Sequence, residues 1–387
     1  MVEERDQLRG AHVLVLGSAR QSLVACRDLA AAGAEVFVAR RKAENDLVTG
    51  SRSIRTVSVL PDPQQDLQRF TEELRQLVVL REVDVVLPAG DEYLAALSAV
   101  RDDVPAAVPL APHQNVLTAL DKVRIGPLAD AAGLPVPTTH EATEALVAGW
   151  EGPAVVKDQS HWNPGAGPAS HLPAVRADDG AELAAAVARM RASGGRPVLQ
   201  ALAGGRMLCF SAFRDRVGVV SGRTQQTSDH LWPVPFGTTA RATTTELDPA
   251  IAAAAARLLE SLDWLGWVNL QLFRQDDGTC ALIDVNGRFN HSMALVEAAG
   301  VHPARAWARM GLGIDHIELG DAKPGVRLSL LVPDLKRARH ERRGGTLVDV
   351  AGTLAFALRA HHTIPRVSDP WPAVRYLAGA HARGGGS

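Results

Sequence analysis

Short apolar runs separated by turn residues dominate the first third of the chain. HVLVL (12–16) leads into Gly17-Ser18, an amphipathic stretch to Ala32, Gly33 and a second run, EVFVA. That pattern predicts a strand–turn–helix–strand unit. DVVL (84–87) repeats the device, with Pro88-Ala89-Gly90 behind it and a helical pattern after that. Residues 1–112 therefore read as a parallel α/β domain.

From Pro112 the texture changes. LTALDKVRIGPLADAAG has helical periodicity ending at Gly133, with Pro135 and Pro137 in an extended exit. GPAVVKDQS predicts a strand carrying Lys157, ELAAAVARMRASGG a helix, and RPVLQAL a further strand. The polar, Thr-rich stretch 222–244 predicts a β-hairpin region. PAIAAAAARLLESLDW predicts a helix, and EAAGVHPARAWARMGLG two helical pieces. The divisions are 1–112, 113–195, 196–320 and 321–387, the last an appended region with the basic run KRARHERR, which reads as a solvated surface.

One stretch breaks the hydrophobic pattern. WVNLQLFR and CALIDVN are joined by QDDGT, and Asp277-Gly278 predicts a two-residue type I′ turn. Gln271 then faces Asp284 and Asn269 faces Asn286, while Leu270, Leu272, Ile283 and Val285 form the apolar face. The polar face gathers Asn269, Gln271, Asp284, Asn286 and Arg288. Clustered oxygen ligands of this kind suit a hard cation such as Mg²⁺, with Mn²⁺ as the alternative, completed by phosphate and water. A solvated strand closed by an Asn-Gly turn is the bland alternative, but exposed faces usually carry Lys, Glu and Thr rather than amides.

Composition narrows the classes. The 387 residues are 46% hydrophobic and 22% charged, with a formal net charge of −2, so no overall field draws nucleic acid or a membrane. No apolar run reaches bilayer length, and the charged N-terminus has no signal-peptide core. Cys26, Cys209 and Cys280 are widely spaced and fit neither a disulfide framework nor a metal knuckle, so reduced thiols in a cytoplasm are expected. GSARQS lacks the second and third glycines of a dinucleotide loop and reads as a plain strand-to-helix turn.

Four stretches, in order, resemble the ATP-grasp ligases: LDKVRIGPLADAAGLPVP, GPAVVKD, VLQALAGG, and GWVNLQLF…LIDVNGRFNHSMALVEAAGVHP. The last is most similar to a carbamoyl-phosphate-synthase-like branch that includes predicted ATP-dependent carboligases. The resemblance implies an N-terminal α/β domain followed by a two-subdomain α+β grasp fold. It implies ATP and Mg²⁺, and a carboxylate–amine ligase that passes through an acyl phosphate and releases ADP, with natural-product assembly among the settings. The alternative is a relative that binds nucleotide without catalysis. Lys122 and Lys157 match the phosphate-binding lysines, Gly165 and Gly167 the flap over the phosphates, and Gln200, Ala201 and Leu202 the adenine hinge. Gln271, Asp284 and Asn286 match the metal ligands. Arg288, with Lys157, matches the catalytic charge, and Asn290, Arg288 and Arg241 are the substrate candidates. The partners implied are a small carboxylate and an amine, with a homodimer as a family-level expectation. The family usually has Glu at the place of Asp284, and often at the place of Ala201; Gln at 271 has precedent in the carbamoyl-phosphate branch.

Overall fold

The computed structural model describes residues 7–44, 46–165, 172–234 and 237–384. Strands β1 (His12–Leu16), β2 (Glu35–Arg41), β3 (Thr56–Leu60) and β4 (Val85–Pro88) form a parallel sheet in the order β3-β2-β1-β4. The two central strands are apolar along most of their length because helices cover both faces. Asp91 opens helix Asp91–Val100 directly after β4, at the carboxyl end of the sheet, where ligands of α/β folds gather.

A second, smaller unit contains β5 (Thr139–Glu141), β6 (Ala154–Asp158), β7 (Val175–Ala177) and β8 (Pro197–Ala201), all antiparallel, in the order β5-β8-β6-β7. Helices Glu144–Gly149 and Gly180–Ala192 close its own small core. The single helix expected before it is two helices, His113–Leu120 and Ile125–Ala132. The Asp121 carboxylate causes the break by accepting from the backbone N–H groups of Val123 (2.9 Å) and Arg124 (3.0 Å). Lys122 thereby sits in a turn. Gly133 ends the second helix in the left-handed region, as expected.

The largest sheet has six strands: β9 (Arg206–Arg214), β10 (Val220–Trp232), β11 (Thr238–Thr245), β12 (Gly266–Arg274), β13 (Cys280–Asn286) and β14 (Arg327–Ser329). Their order is β13-β12-β9-β10-β11-β14. In the β12–β13 hairpin, Gln271 pairs with Asp284 and Asn269 with Asn286, the register expected. The route to it differs. The tip is a three-residue loop in which the Gly278 N–H donates to the Gln275 carbonyl (3.0 Å), so Asp276-Asp277 are the central turn residues. This offsets the register by one, and a bulge between Leu282 and Asp284 restores it. The extra residue is Ile283. It leaves the apolar face and lines the cavity described below, while Leu282 takes its place in the core.

The stretch after residue 320 contributes β14 at the sheet edge beside β11. Helices Leu331–Glu341 and Thr346–Ala357 pack next to it around a buried ionic network. Asp334 and Arg337 are both 0% exposed. Asp334 is bound by His230 (2.8 Å), Arg241 (2.9 Å) and Arg337 (3.1 Å), and Arg337 reaches Asp349 at 2.8 Å. The basic run is therefore not wholly a solvated surface. Arg241, a candidate carboxylate grip, is engaged in this network: register shifts in β10 around His230 set Arg241 opposite that residue, its guanidinium on Asp334 and 4.2 Å above the Phe356 ring.

Replacing Arg241 with Met should leave the buried Asp334 charge short of a partner and cost about 3 kcal/mol or more in denaturant unfolding. An unchanged midpoint would contradict the structural role. Gly287 lies between Asn286 and Arg288, and a Cβ there would overlap the Trp264 indole and stand 3.0 Å from Leu94. Gly287→Ala should lower stability by about 1–3 kcal/mol, seen as an earlier thermal transition.

Candidate functional site

A cavity of about 400 Å³ opens between the small four-stranded unit and the six-stranded sheet. Lys122, Lys157, Gln200, Ala201, Leu202, Gln271, Asp284, Asn286, Arg288 and Asn290 all line it, so residues far apart in sequence meet in one place. Gly165 does not line it; its N–H donates to the Gln64 carbonyl at 2.8 Å, which draws this end of the loop toward the N-terminal sheet. Gly167 lies outside the described residues.

The two lysines approach from different elements. Lys122 Nζ stands 3.9 Å from an Asp284 oxygen. Lys157, on β6, donates to the Ile283 carbonyl at 3.0 Å, crossing from one sheet to the other. That carbonyl belongs to the bulge residue. Burial lowers the Lys157 pKa to about 7, helped by the nearby Lys122 charge and opposed by Asp284. Two ammonium groups held this close, one of them poorly solvated, form a site short of negative charge. A polyphosphate supplies it.

Arg288 is buried and fully engaged. Its guanidinium reaches both oxygens of Asp91 (3.1 and 3.2 Å), the Asn286 side-chain oxygen (2.8 Å) and the Phe289 carbonyl (3.2 Å). Asp91 also meets the His161 ring at 3.0 Å. Burial would raise the Asp91 carboxyl, but Arg288 and His161 more than offset it and hold the group well below the usual carboxylate range. Asp91 escaped the sequence reading because an acid in the first helical turn is ordinary helix chemistry. Its place just beyond β4 was the available signal. His291 faces the cavity too; burial, then Arg288 and Arg20, lower its pKa to about 4, so the ring is neutral near pH 7.

The expected metal ligands are one carboxylate and two amides. Among the described residues no group of three or more His, Cys, Asp or Glu side chains is placed to hold a metal ion. Asn286 turns its amide nitrogen toward Asp284 (3.5 Å) and gives its oxygen to Arg288. Such a set fits Mg²⁺ that arrives with phosphate oxygens, because that ion needs only one or two carboxylates from the protein. It does not fit a cation caged by protein alone.

All three cysteines are free and buried, and no described helix is long and apolar enough to cross a membrane. No protein-family model matches the chain, and no curated protein matches it by sequence. Solved structures do match. An L-amino acid ligase from Bacillus licheniformis is 18% identical, with 79% of this chain and 74% of that one covered at a TM-score of 0.65. An ADP complex of N5-carboxyaminoimidazole ribonucleotide synthetase is 17% identical, with 87% of each chain covered and a TM-score of 0.61. The biotin carboxylase domain of Hydrogenobacter thermophilus 2-oxoglutarate carboxylase, solved with MgADP, ADP and bicarbonate, is 12% identical, with 82% and 73% covered at 0.64. The parallel sheet, the small antiparallel unit and the six-stranded sheet are together the ATP-grasp fold.

Proposed function

We propose that this chain is an ATP-dependent carboxylate–amine ligase, forming an amide or peptide bond through an acyl phosphate and releasing ADP and phosphate. The observation that carries this reading is the meeting of Lys122, Lys157, Asp284 and Arg288 in one cavity between two sheets. The solved neighbours that hold ADP or MgADP on the same fold support a nucleotide there. An amide-bearing natural product is one setting for such a reaction.

The roles follow from position. Gln200, Ala201 and Leu202 leave β8 beside Met207 and Phe273, a mixed apolar and backbone edge suited to a purine. Lys122 and Lys157 would meet the phosphates as point donors. Asp284, Gln271 and Asn286 would hold Mg²⁺, which when bound draws charge from the phosphate oxygens. Arg288, kept in place by Asp91, would stand by the reacting carboxylate. Phosphoryl transfer of this kind needs positioning and positive charge more than covalent help from the protein.

One observation favours a second reading, a nucleotide-binding relative without turnover: Asp284 is the only carboxylate among the three metal candidates. Measuring ADP release with Mg²⁺, a panel of acids and an amine separates the two. The ligase gives acid-dependent ADP, and Asp284→Ala lowers kcat by about 100-fold or more. Full activity in that variant would reject this metal site. ATP binding with no acid-dependent ADP across the panel would favour the second reading.

Lys157 provides a pH test. Its free-protein pKa of about 7 must rise when phosphate neutralises its surroundings. Near pH 8 the free lysine is mostly neutral, so nucleotide binding should take up a proton; near pH 6 it is already charged and uptake should vanish. Apparent affinity should therefore fall as pH rises above about 7, by at most roughly tenfold per pH unit. Calorimetry in buffers of different ionisation enthalpy reads the uptake, and Lys157→Met should remove it. Equal proton uptake in that variant would assign the titration elsewhere.

A further inference from the structure

The cavity lining is mixed in chemistry. Lys122 and Lys157 meet Asp284 and the Ile283 carbonyl. Arg288, joined to Asp284 through Asn286, shares the lining with Asn290, His291, Ser292, Thr238 and Thr239. Among the described lining residues the only carboxylates are Asp158 and Asp284. Asp158 accepts from the Arg196 backbone N–H at 2.9 Å, and Asp284 faces Lys122. The sequence of 166–171 and 235–236 contains no Asp or Glu. Asp91 stands behind Arg288 and does not line the cavity. An ammonium group next to the reacting carboxylate would therefore be desolvated beside a guanidinium, while of the two lining carboxylates Asp284 already faces Lys122 and Asp158 is buried on β6 next to Lys157.

Neutral hydrogen-bonding capacity is plentiful among these residues. Ser292 precedes helix Met293–Ala298 and makes no side-chain capping bond to it. Its Oγ accepts from Gln226 Nε2 at 2.7 Å, which leaves its own proton to be donated. Gln226 is 1% exposed, and its Oε1 has no partner among the described residues. The Asn290 oxygen is taken by the Trp267 indole N–H (3.1 Å), which leaves its amide N–H groups for other acceptors. Thr239 is braced by Ser228 at 2.8 Å.

Resting on the ligase reading above, we infer that the acid activated here carries no charge besides its carboxylate. It bears a neutral hydroxyl or amide group that Ser292 and Asn290 recognise: a 2-hydroxy acid or an N-acylated amino acid rather than a free α-amino acid. Gln226 is the positioning residue that orients the Ser292 hydroxyl. In the reaction, a carboxylate oxygen attacks the γ-phosphorus, the bond from phosphorus to the β,γ-bridging oxygen breaks, and ADP leaves. The amine nitrogen then attacks the acyl carbon, the bond to the phosphate oxygen breaks, and the nitrogen gives up a proton to solvent.

Hydroxylamine can serve as the amine, so that hydroxamate and ADP are both measured, with lactate, N-acetylalanine, propanoate and alanine as acids. The expected result is a kcat/KM for lactate or N-acetylalanine at least about tenfold above propanoate and above alanine. Ser292→Ala and, independently, Thr239→Val should bring the lactate-to-propanoate ratio toward one; either variant that folds gives the reading. Alanine as the best acid, or equal turnover of lactate and propanoate by the unaltered protein, would overturn the inference while leaving the ligase reading intact. ATP binding with no ADP from any acid would remove the ligase reading and this inference with it.

Discussion

A guanidinium taken out of water has to be neutralised, and in this molecule the neutralising carboxylate comes from another part of the chain. Arg288 at the end of the hairpin and Asp91 at the carboxyl end of the parallel sheet hold each other with two contacts, at 3.1 and 3.2 Å. The pair costs much to desolvate and more to break, so its value is geometric. It fixes the parallel sheet against the antiparallel one, and the cavity takes its shape between that joint and the two lysines. Trp264 packs beneath Gly287 at the same joint, so packing and charge impose one position on Asn286 and Arg288.

Much of this was legible in the chain. Alternation in WVNLQLFR and CALIDVN marked a two-faced hairpin, and the facing of Gln271 with Asp284 followed from it. The turn falls one residue earlier than Asp277-Gly278 predicts, and the bulge at Ile283 cancels that offset. No local pattern signals such a bulge, because Leu282 and Ile283 serve equally well as core residues. The helix break at Asp121 was also hidden, since periodicity continues through it and only a side-chain carboxylate competing for backbone N–H groups interrupts it.

Other features were illegible for a different reason. Arg241 sits in a polar strand and carries the right charge for a substrate, but irregular pairing around His230 decides where it points, and Asp334 is 93 positions away. Asp91, Gln226 and Ser292 owe their places to contacts across the fold, which hydrophobic pattern does not encode. Residue type identified what could bind phosphate. Which groups stand behind those ligands is a property of the assembled sheets.

The bulge has one more effect. By pushing Ile283 out of the ladder it offers a main-chain oxygen to the opposite sheet, and Lys157 occupies it. A lysine that leaves this oxygen for an incoming phosphate would untie a strut between the two halves of the molecule. Filling the cleft and loosening its walls would then be the same event, so cargo and hinge would share a single side chain.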